Sequence, residues 1–350
     1  MAGGLFELRK DDITGWWVAV VVDREYDRSR FAMRAETVGH AGGRCQNCDR
    51  AETPGVWLRT LKPQAFTVAG SERDKEQAEG VRDPGLGLVG DIGSWATIVA
   101  PREHHGRLES EQRDIVIEML RLARGEVIRA KATPGIEYVQ VVQNVGLQAG
   151  ARTDHLCLDL YELPQIPHRL GEELGGAARF MIKERICPWC RLVKDEVARR
   201  DRLVHADAAT VCFAPYASRS PFELWVVPRH HEADFGRATD AQLESAADAL
   251  QGVLGKLDVL DGPPYNLVLH TAPAKQRVDE TYHWHWEIHP RLREIAGLEL
   301  GTGLPVNPVS PERAVAELLT GPDGVAAGGA ASGGVASDAG PRSWDAFPRG

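Results

Sequence analysis

Two stretches of the chain set a polar side chain at every second position. Asp154-His155-Leu156-Cys157-Leu158-Asp159 puts His155, Cys157 and Asp159 on one face of a strand, and about 130 residues later Tyr282-His283-Trp284-His285-Trp286-Glu287 does the same with His283, His285 and Glu287. Such alternation aims several side chains at one place. Around these stretches, residues 5–22 read as a strand, a turn at Thr14-Gly15 and a second strand, and short apolar strands are expected at 96–100, 139–144, 210–213, 223–227 and 266–270. Helical spacing appears in Ile115, Met119, Leu122 and Val127, while 171–186 reads as a helix carrying Glu172, Glu173 and Glu184. Thr239-Asp240-Ala241-Gln242 is a capping box that opens a helix through Leu243, Ala247, Leu250 and Leu254, and a last helix is expected at 311–319. The charged, glycine-rich run 70–90 reads as a mobile loop. The Gly, Ala, Ser and Pro-rich segment 321–350 reads as a disordered tail, too poor in large apolar groups to offset ordering entropy.

The order of features repeats. Cys45-Gln46-Asn47-Cys48 and Cys187-Pro188-Trp189-Cys190 each precede a proline followed closely by two histidines, His104-His105 and His230-His231, then a strand, then an alternating stretch. His104 lies 51 residues before His155 and His230 lies 53 before His283, whereas the cysteine-to-histidine gaps, 56 and 40, differ by amounts that loop insertions absorb. An internal duplication is therefore expected, with an N-terminal half at 1–175 and a C-terminal half at 176–320.

Composition narrows the class. A chain of 350 residues with 43% hydrophobic content can bury a full core, and its formal charge of −9 with no basic block argues against nucleic acid as partner. No apolar run reaches membrane-spanning length and no signal pattern opens the chain, so a cytoplasmic, soluble protein is expected with no membrane partner. Four of the six cysteines form Cys-x-x-Cys pairs, which in such a chain read as metal sites rather than as a disulfide framework. Two structural zinc sites are expected: Cys45, Cys48, His104 and His155, then Cys187, Cys190, His230 and His283. His105 and His231 stand as alternatives to His104 and His230. Arg24, Arg28 and Arg30 read either as a phosphate clamp or as the solvated outside of a turn. His40, His168, His205 and His289 show no partner pattern and read as surface or packing residues, and Cys212 as core.

The order of cysteine pairs, histidine pairs, Asn144-x-Gly146-x-x-x-Gly150 and the two alternating stretches resembles the galactose-1-phosphate uridylyltransferase family of the histidine-triad superfamily. The resemblance runs from about Leu8 to about Leu319 and includes Thr14-Gly15-x-Trp17. It implies an α+β fold of two tandem histidine-triad-like halves, each an antiparallel sheet with helices packed on one side. It also implies a homodimer and nucleotidyl transfer between a nucleotide sugar and a sugar phosphate or phosphate, through a histidine that attacks the α-phosphate. By the same resemblance Arg24, Arg28, Asn144, Gly146 and Gly150 approach the nucleotide phosphates, and Arg152 is expected in the same phosphate-binding pocket. Some members hold their second metal with a glutamate and three histidines, here Glu173, His270, His283 and His285; Cys187 and Cys190 favour the other version.

The departures fall where the chemistry is decided. The nucleophile position holds Cys157, and the position of the following amide holds Asp159. A thiolate needs a lowered pKa, and a carboxylate on the same face pushes the other way unless Arg152 or a cation intervenes. Cys157 therefore reads as a working nucleophile, as a packing residue in a site that lost the ancestral chemistry, or as a ligand or substrate contact. His285 keeps the equivalent place in the second half and is a candidate catalytic residue beside Cys157 and Asp159. The expected function is a nucleotidyltransferase or nucleotide-sugar phosphorylase, with a zinc-stabilised nucleotide-binding pseudoenzyme as the alternative.

Overall fold

The computed structural model describes residues 6–22, 27–38, 45, 47–48, 56–61, 66–69, 88–92, 94–101 and 106–320. The expected tail at 321–350 and residues 70–87 of the expected loop lie outside them; residues 88–90 of that loop begin a strand. In chain order the elements are β1 (Phe6–Lys10), β2 (Trp17–Val21), β3 (Trp57–Leu61), β4 (Phe66–Ala69), β5 (Leu88–Ile92), β6 (Ser94–Val99), α1 (Arg113–Lys131), β7 (Tyr138–Val145), β8 (Cys157–Leu163), α2 (His168–Glu184), α3 (Pro188–Arg199), β9 (Leu203–Ala206), β10 (Thr210–Phe213), β11 (Leu224–Pro228), α4 (Asp240–Lys256), β12 (Tyr265–His270), β13 (His285–Pro290), α5 (Gly297–Thr302), β14 (Val306–Asn307) and α6 (Pro311–Thr320).

Alternation along β7, β8, β12 and β13 sorts their side chains onto two faces. Val139, Val141, Leu158, Leu160, Leu267, Leu269, Trp286 and Ile288 turn to one side, where they bury against Val116, Met119 and Leu120 of α1 and Leu243, Leu250 and Leu254 of α4. Helix α4 starts where its capping box predicts: the Thr239 hydroxyl accepts from the Gln242 amide, and the Gln242 side chain accepts from the Thr239 amide.

Among the described residues the principal sheet has nine strands in the order β3-β6-β8-β7-β12-β13-β11-β10-β9, all paired antiparallel. The two halves thus share one continuous sheet, joined where β7 pairs β12. At that seam Val142 stands opposite Val268. On its other side Val142 faces Asp159, and Val268 faces Glu287. The equivalent residues of the halves are therefore related by a pseudo-two-fold axis passing between the two valines.

Helices α1 and α4 lie on one face, as expected. The opposite face of the second half is covered too, by α2 and α3, whose Leu170, Leu174, Trp189 and Val193 pack with Tyr138, Phe213, Trp225 and Tyr282. Helix α3 was hidden in the sequence because Cys187-Pro188-Trp189-Cys190 reads as a free knuckle. In the fold Cys187 is the N-cap and Pro188 the first helical residue, a position where a missing N–H costs nothing. Gly176 lets α2 approach the N-terminal turn closely, since a Cβ there would lie 1.6 Å from the Ile13 carbonyl oxygen. No helix among the described residues is long and apolar enough to cross a membrane.

Candidate functional site

Two groups of cysteine and histidine assemble with the spacing of a tetrahedral metal centre. Cys187, Cys190, His231 and His283 each place one ligand atom within 4.8 Å of the others, as do Cys45, Cys48 and His155. The Cys190 Sγ lies 3.3 Å from His231 Nδ1 and 3.7 Å from His283 Nδ1, and Cys48 Sγ lies 3.4 Å from His155 Nδ1. Sulfur at about 2.3 Å and nitrogen at about 2.0–2.1 Å from one tetrahedral ion stand roughly 3.6 Å apart, so these separations fit. Two of the imidazoles are oriented as metal ligands usually are: His155 Nε2 donates to the Ala100 carbonyl at 2.8 Å, and His231 Nε2 to the Asp279 carbonyl at 2.6 Å, which turns Nδ1 to the sulfur. Contact with Cys187 and with both imidazoles draws the Cys190 thiol well down, while Cys187 moves up.

The expected ligand His230 is corrected to its alternative, His231. After β11 ends at Pro228 both histidines lie at the surface, and the Asp279 carbonyl, far away in sequence, holds His231 against Cys190. His104 and His105 lie outside the described residues.

On the open face of the first half, Asp159 is buried and already neutralised. Arg152 Nη2 donates to both its oxygens, at 2.9 and 2.8 Å, the Thr97 hydroxyl donates at 2.8 Å, and the Arg152 guanidinium lies 3.7 Å from the centre of the Trp95 ring. Trp95 in turn stacks on Tyr161 at 5.4 Å. Cys157 is half-buried; desolvation, and after it the charge of Asp159, push its thiol up to about 12, with Arg152 pulling the other way. Burial and Asp159 thus favour the neutral thiol over the thiolate that nucleophilic attack needs.

In the second half His285 is fully buried. Its ring is walled in by His270 at 4.9 Å, Trp225 at 5.2 Å and Trp189 at 5.4 Å, and its Nδ1 donates to the His283 carbonyl at 2.9 Å. The expectation of a catalytic His285 is not supported, because its ring does not line the cleft. Glu173, His270 and His285 also bring one ligand atom each within 4.8 Å. There His270 Nδ1 donates to Glu173 at 3.0 Å and the Tyr282 hydroxyl donates to the same carboxylate at 2.9 Å.

Beside this cluster opens a cleft of about 750 Å³, lined by Asn144, Asn266, His289, Arg291, Ile295 and Leu300 among others. Its deep wall is Glu287, fully buried and held by Arg169 at 2.7 and 2.6 Å, Arg219 at 3.0 Å and His289 at 2.9 Å. Burial opposes its ionisation, but His270 and Arg219 hold Glu287 well below the usual carboxylate range. Glu223, Glu287 and His289 are close enough to suit a metal, yet Arg219 occupies the space between the carboxylates, so this is an ion-pair network.

The other expected phosphate contacts scatter. Asn144 lines the cleft. Gly146 has φ +84, and a Cβ there would meet Ala35 at 2.9 Å and Pro264 at 3.0 Å, so packing at a smaller cleft already demands glycine. Gly150 closes a 3-10 turn at φ +78. Arg28 faces Glu317 of α6 at 4.0 Å and does not reach the cleft, and Arg24 lies outside the described residues. His289, expected to be a surface or packing residue, is half-buried and faces the cleft; it continues the alternation of 283, 285 and 287 by one more step, which is the signal that could have found it.

The fold and the paired Cys/His groups define a tandem histidine-triad-like protein. No family model matches the chain. The ADP-glucose phosphorylase of Arabidopsis thaliana is 32% identical over 180 residues, 51% of this chain and 50% of that protein, and the galactose-1-phosphate uridylyltransferase of Thermotoga maritima is 27% identical over 192 residues, 52% of this chain and 60% of that one. The chain thus matches about half the length of these relatives. Among solved structures, a GalT-like protein from Arabidopsis thaliana superposes with a TM-score of 0.72 at 23% identity, covering 90% of this chain and 98% of that one. An ADP-glucose phosphorylase from the same plant, solved with bound ADP-glucose, gives 0.70 at 24% with the same coverage. In sequence and in fold the chain is similar to the galactose-1-phosphate uridylyltransferase family.

Proposed function

We propose that the chain is a nucleotidyltransferase of this family, acting on a nucleotide sugar with a phosphate or sugar phosphate as acceptor, and that transfer does not pass through Cys157. The single observation carrying the second clause is the half-buried thiol beside the Arg152–Asp159 pair. Without a thiolate, an oxygen of the acceptor phosphate attacks the α-phosphorus directly. The bond from that phosphorus to the bridging oxygen breaks, and the sugar phosphate leaves with the electron pair. The first clause is supported by the relatives and by the place of Asn144 in the cleft.

Two zinc ions are part of the same reading. The separations between sulfur and nitrogen and the carbonyl-anchored imidazoles fit that metal, which would bind Cys187, Cys190, His231 and His283 in one site and Cys45, Cys48 and His155 in the other. Their part is to hold the two halves of the frame in shape. The homodimer and the cytoplasmic location expected from the sequence belong to this proposal as well.

A second reading, binding of a nucleotide sugar without turnover, is favoured by the loss of a competent nucleophile at 157. Zinc-loaded protein incubated with ADP-glucose or UDP-glucose and phosphate separates the readings by intact mass and product analysis. Direct transfer gives sugar phosphate and a nucleoside diphosphate with no adduct on the chain. An adduct on Cys157 would overturn the direct route; no product with any of several nucleotide sugars would leave binding alone.

A further inference from the structure

The floor of the cleft has a hydrogen-bonding pattern that two backbone carbonyls fix. Asn266 Nδ2 donates both to Asn144 Oδ1 at 2.7 Å and to the Ala149 carbonyl at 2.8 Å. The Ala149 oxygen can only accept, so the Asn266 amide cannot be turned over. This leaves Asn266 Oδ1 as an acceptor and Asn144 Nδ2 as a donor, neither with a partner among the described residues. The two asparagines are directly opposite on β12 and β7, so the free acceptor and the free donor sit side by side on neighbouring strands. Gln140 Nε2 is likewise committed to the Leu269 carbonyl at 2.8 Å, which leaves its Oε1 as a second acceptor four residues from Asn144 along β7.

The walls and rim differ from the floor. Leu300 and Ile295 line the cleft yet are 76% and 57% exposed, and Pro290 and Pro305 add flat apolar surface. The Arg291 guanidinium stands exposed at the rim with no partner among the described residues, and Glu294 lines the same cleft. An adjacent acceptor and donor suit a ring edge that offers a donor beside an acceptor, as nucleobases do, and flat apolar walls suit its faces. Of the arginines lining the cleft, Arg169, Arg219 and Arg293 are paired with carboxylates, and Arg291 is left to meet one phosphate rather than several.

We propose that this cleft, at the seam between the halves, is a nucleoside monophosphate site in which the base rests on Asn266 and Asn144 between Leu300 and the prolines, and the phosphate meets Arg291. The base is then read across the β7–β12 seam, by one asparagine from each half. This deepens the nucleotide reading above and rests on it for the class of ligand.

Calorimetric titration of zinc-loaded protein with AMP, UMP, adenosine and ribose 5-phosphate tests the site. AMP or UMP is expected to bind, and ribose 5-phosphate, lacking the base, at least about tenfold more weakly. Asn266→Leu and Asn144→Leu should each weaken the nucleotide by about tenfold or more, the loss of one or two hydrogen bonds. Arg291→Met should weaken AMP and leave adenosine unchanged. Leu300→Asp, at a largely exposed position where the fold has little at stake, should also weaken binding, which keeps the test valid if an asparagine variant misfolds. If nucleotides bind but these variants bind them as well as wild type, the site is wrong and the nucleotide reading survives. If no nucleotide or nucleotide sugar binds at all, both fall.

Discussion

Arg152 grips both oxygens of Asp159, at 2.8 and 2.9 Å, two residues along β8 from Cys157. The pair does two things at once: it removes the charge that would repel a phosphate, and it uses up the cation that would otherwise stabilise a thiolate. Burial then decides the matter, and the thiol stays protonated.

That state is measurable. Iodoacetamide labelling of Cys157, followed by mass spectrometry across pH 7–10, should be slow throughout this range, because the thiol ionises only near 12. Asp159→Asn removes a negative charge, lowers the thiol pKa and should speed labelling at pH 9–10. Fast labelling of the wild type at pH 7.5 would contradict the assignment.

Zinc stoichiometry distinguishes neighbouring histidines. Wild type should carry about two zinc ions per chain, and Cys190→Ser or His231→Ala should each reduce this to about one while lowering stability by about 3 kcal/mol or more. His230→Ala should leave the metal content unchanged. A loss of zinc in the His230 variant with none in the His231 variant would reverse the ligand assignment.

The Glu287 network predicts a large cost and a pH dependence of known sign. Glu287→Ala would leave Arg219 buried beside Glu223 with one carboxylate missing, a loss of about 3–5 kcal/mol in urea denaturation. The folded pKa of Glu287 lies below 4.5, so its stabilisation is present above that pH and is lost as pH falls through the folded value. The wild type should therefore lose stability on acidification below about pH 4.5 more steeply than the variant.

Asp11 behaves in the opposite sense. Its carboxylate accepts from the Ile13 and Thr14 amides at 2.7 and 3.0 Å, but burial raises its pKa from 3.8 to about 6. The protonated form is favoured by folding, so the contribution is complete below 3.8 and lost as pH rises through about 6. Asp11→Asn keeps an accepting oxygen and never ionises; it should raise Tm by a few degrees at pH 8 and leave it unchanged at pH 3.5. Equal effects at both pH values would rule out ionisation as the cause.

Much of this was legible in the chain. Alternation at 154–159 and 282–287 located two strands and the three buried histidines His155, His283 and His285, and the repeated Cys-x-x-Cys pairs located two groups that could hold a metal. Local pattern could not choose His231 over His230, because the choice is made by a carbonyl at Asp279. It could not show that the halves share one sheet, since pairing between β7 and β12 joins residues more than 120 positions apart. Nor could it find the cleft. Arg169 and Arg219 reach Glu287 from a helix and a loop distant in sequence, and His289 looked like an isolated surface histidine until the strand placed it beside that carboxylate.

The Val142–Val268 seam has a consequence for how such a protein can change. An assembly of two separate identical subunits around a true two-fold axis would carry every substitution twice, once at each equivalent place. Covalent fusion breaks that obligation: a cysteine and an aspartate can occupy β8 while histidine and glutamate persist at the matching positions of β13. The backbone ladder across the seam keeps the two unequal halves in register, so one can give up an inherited task without the other losing its footing.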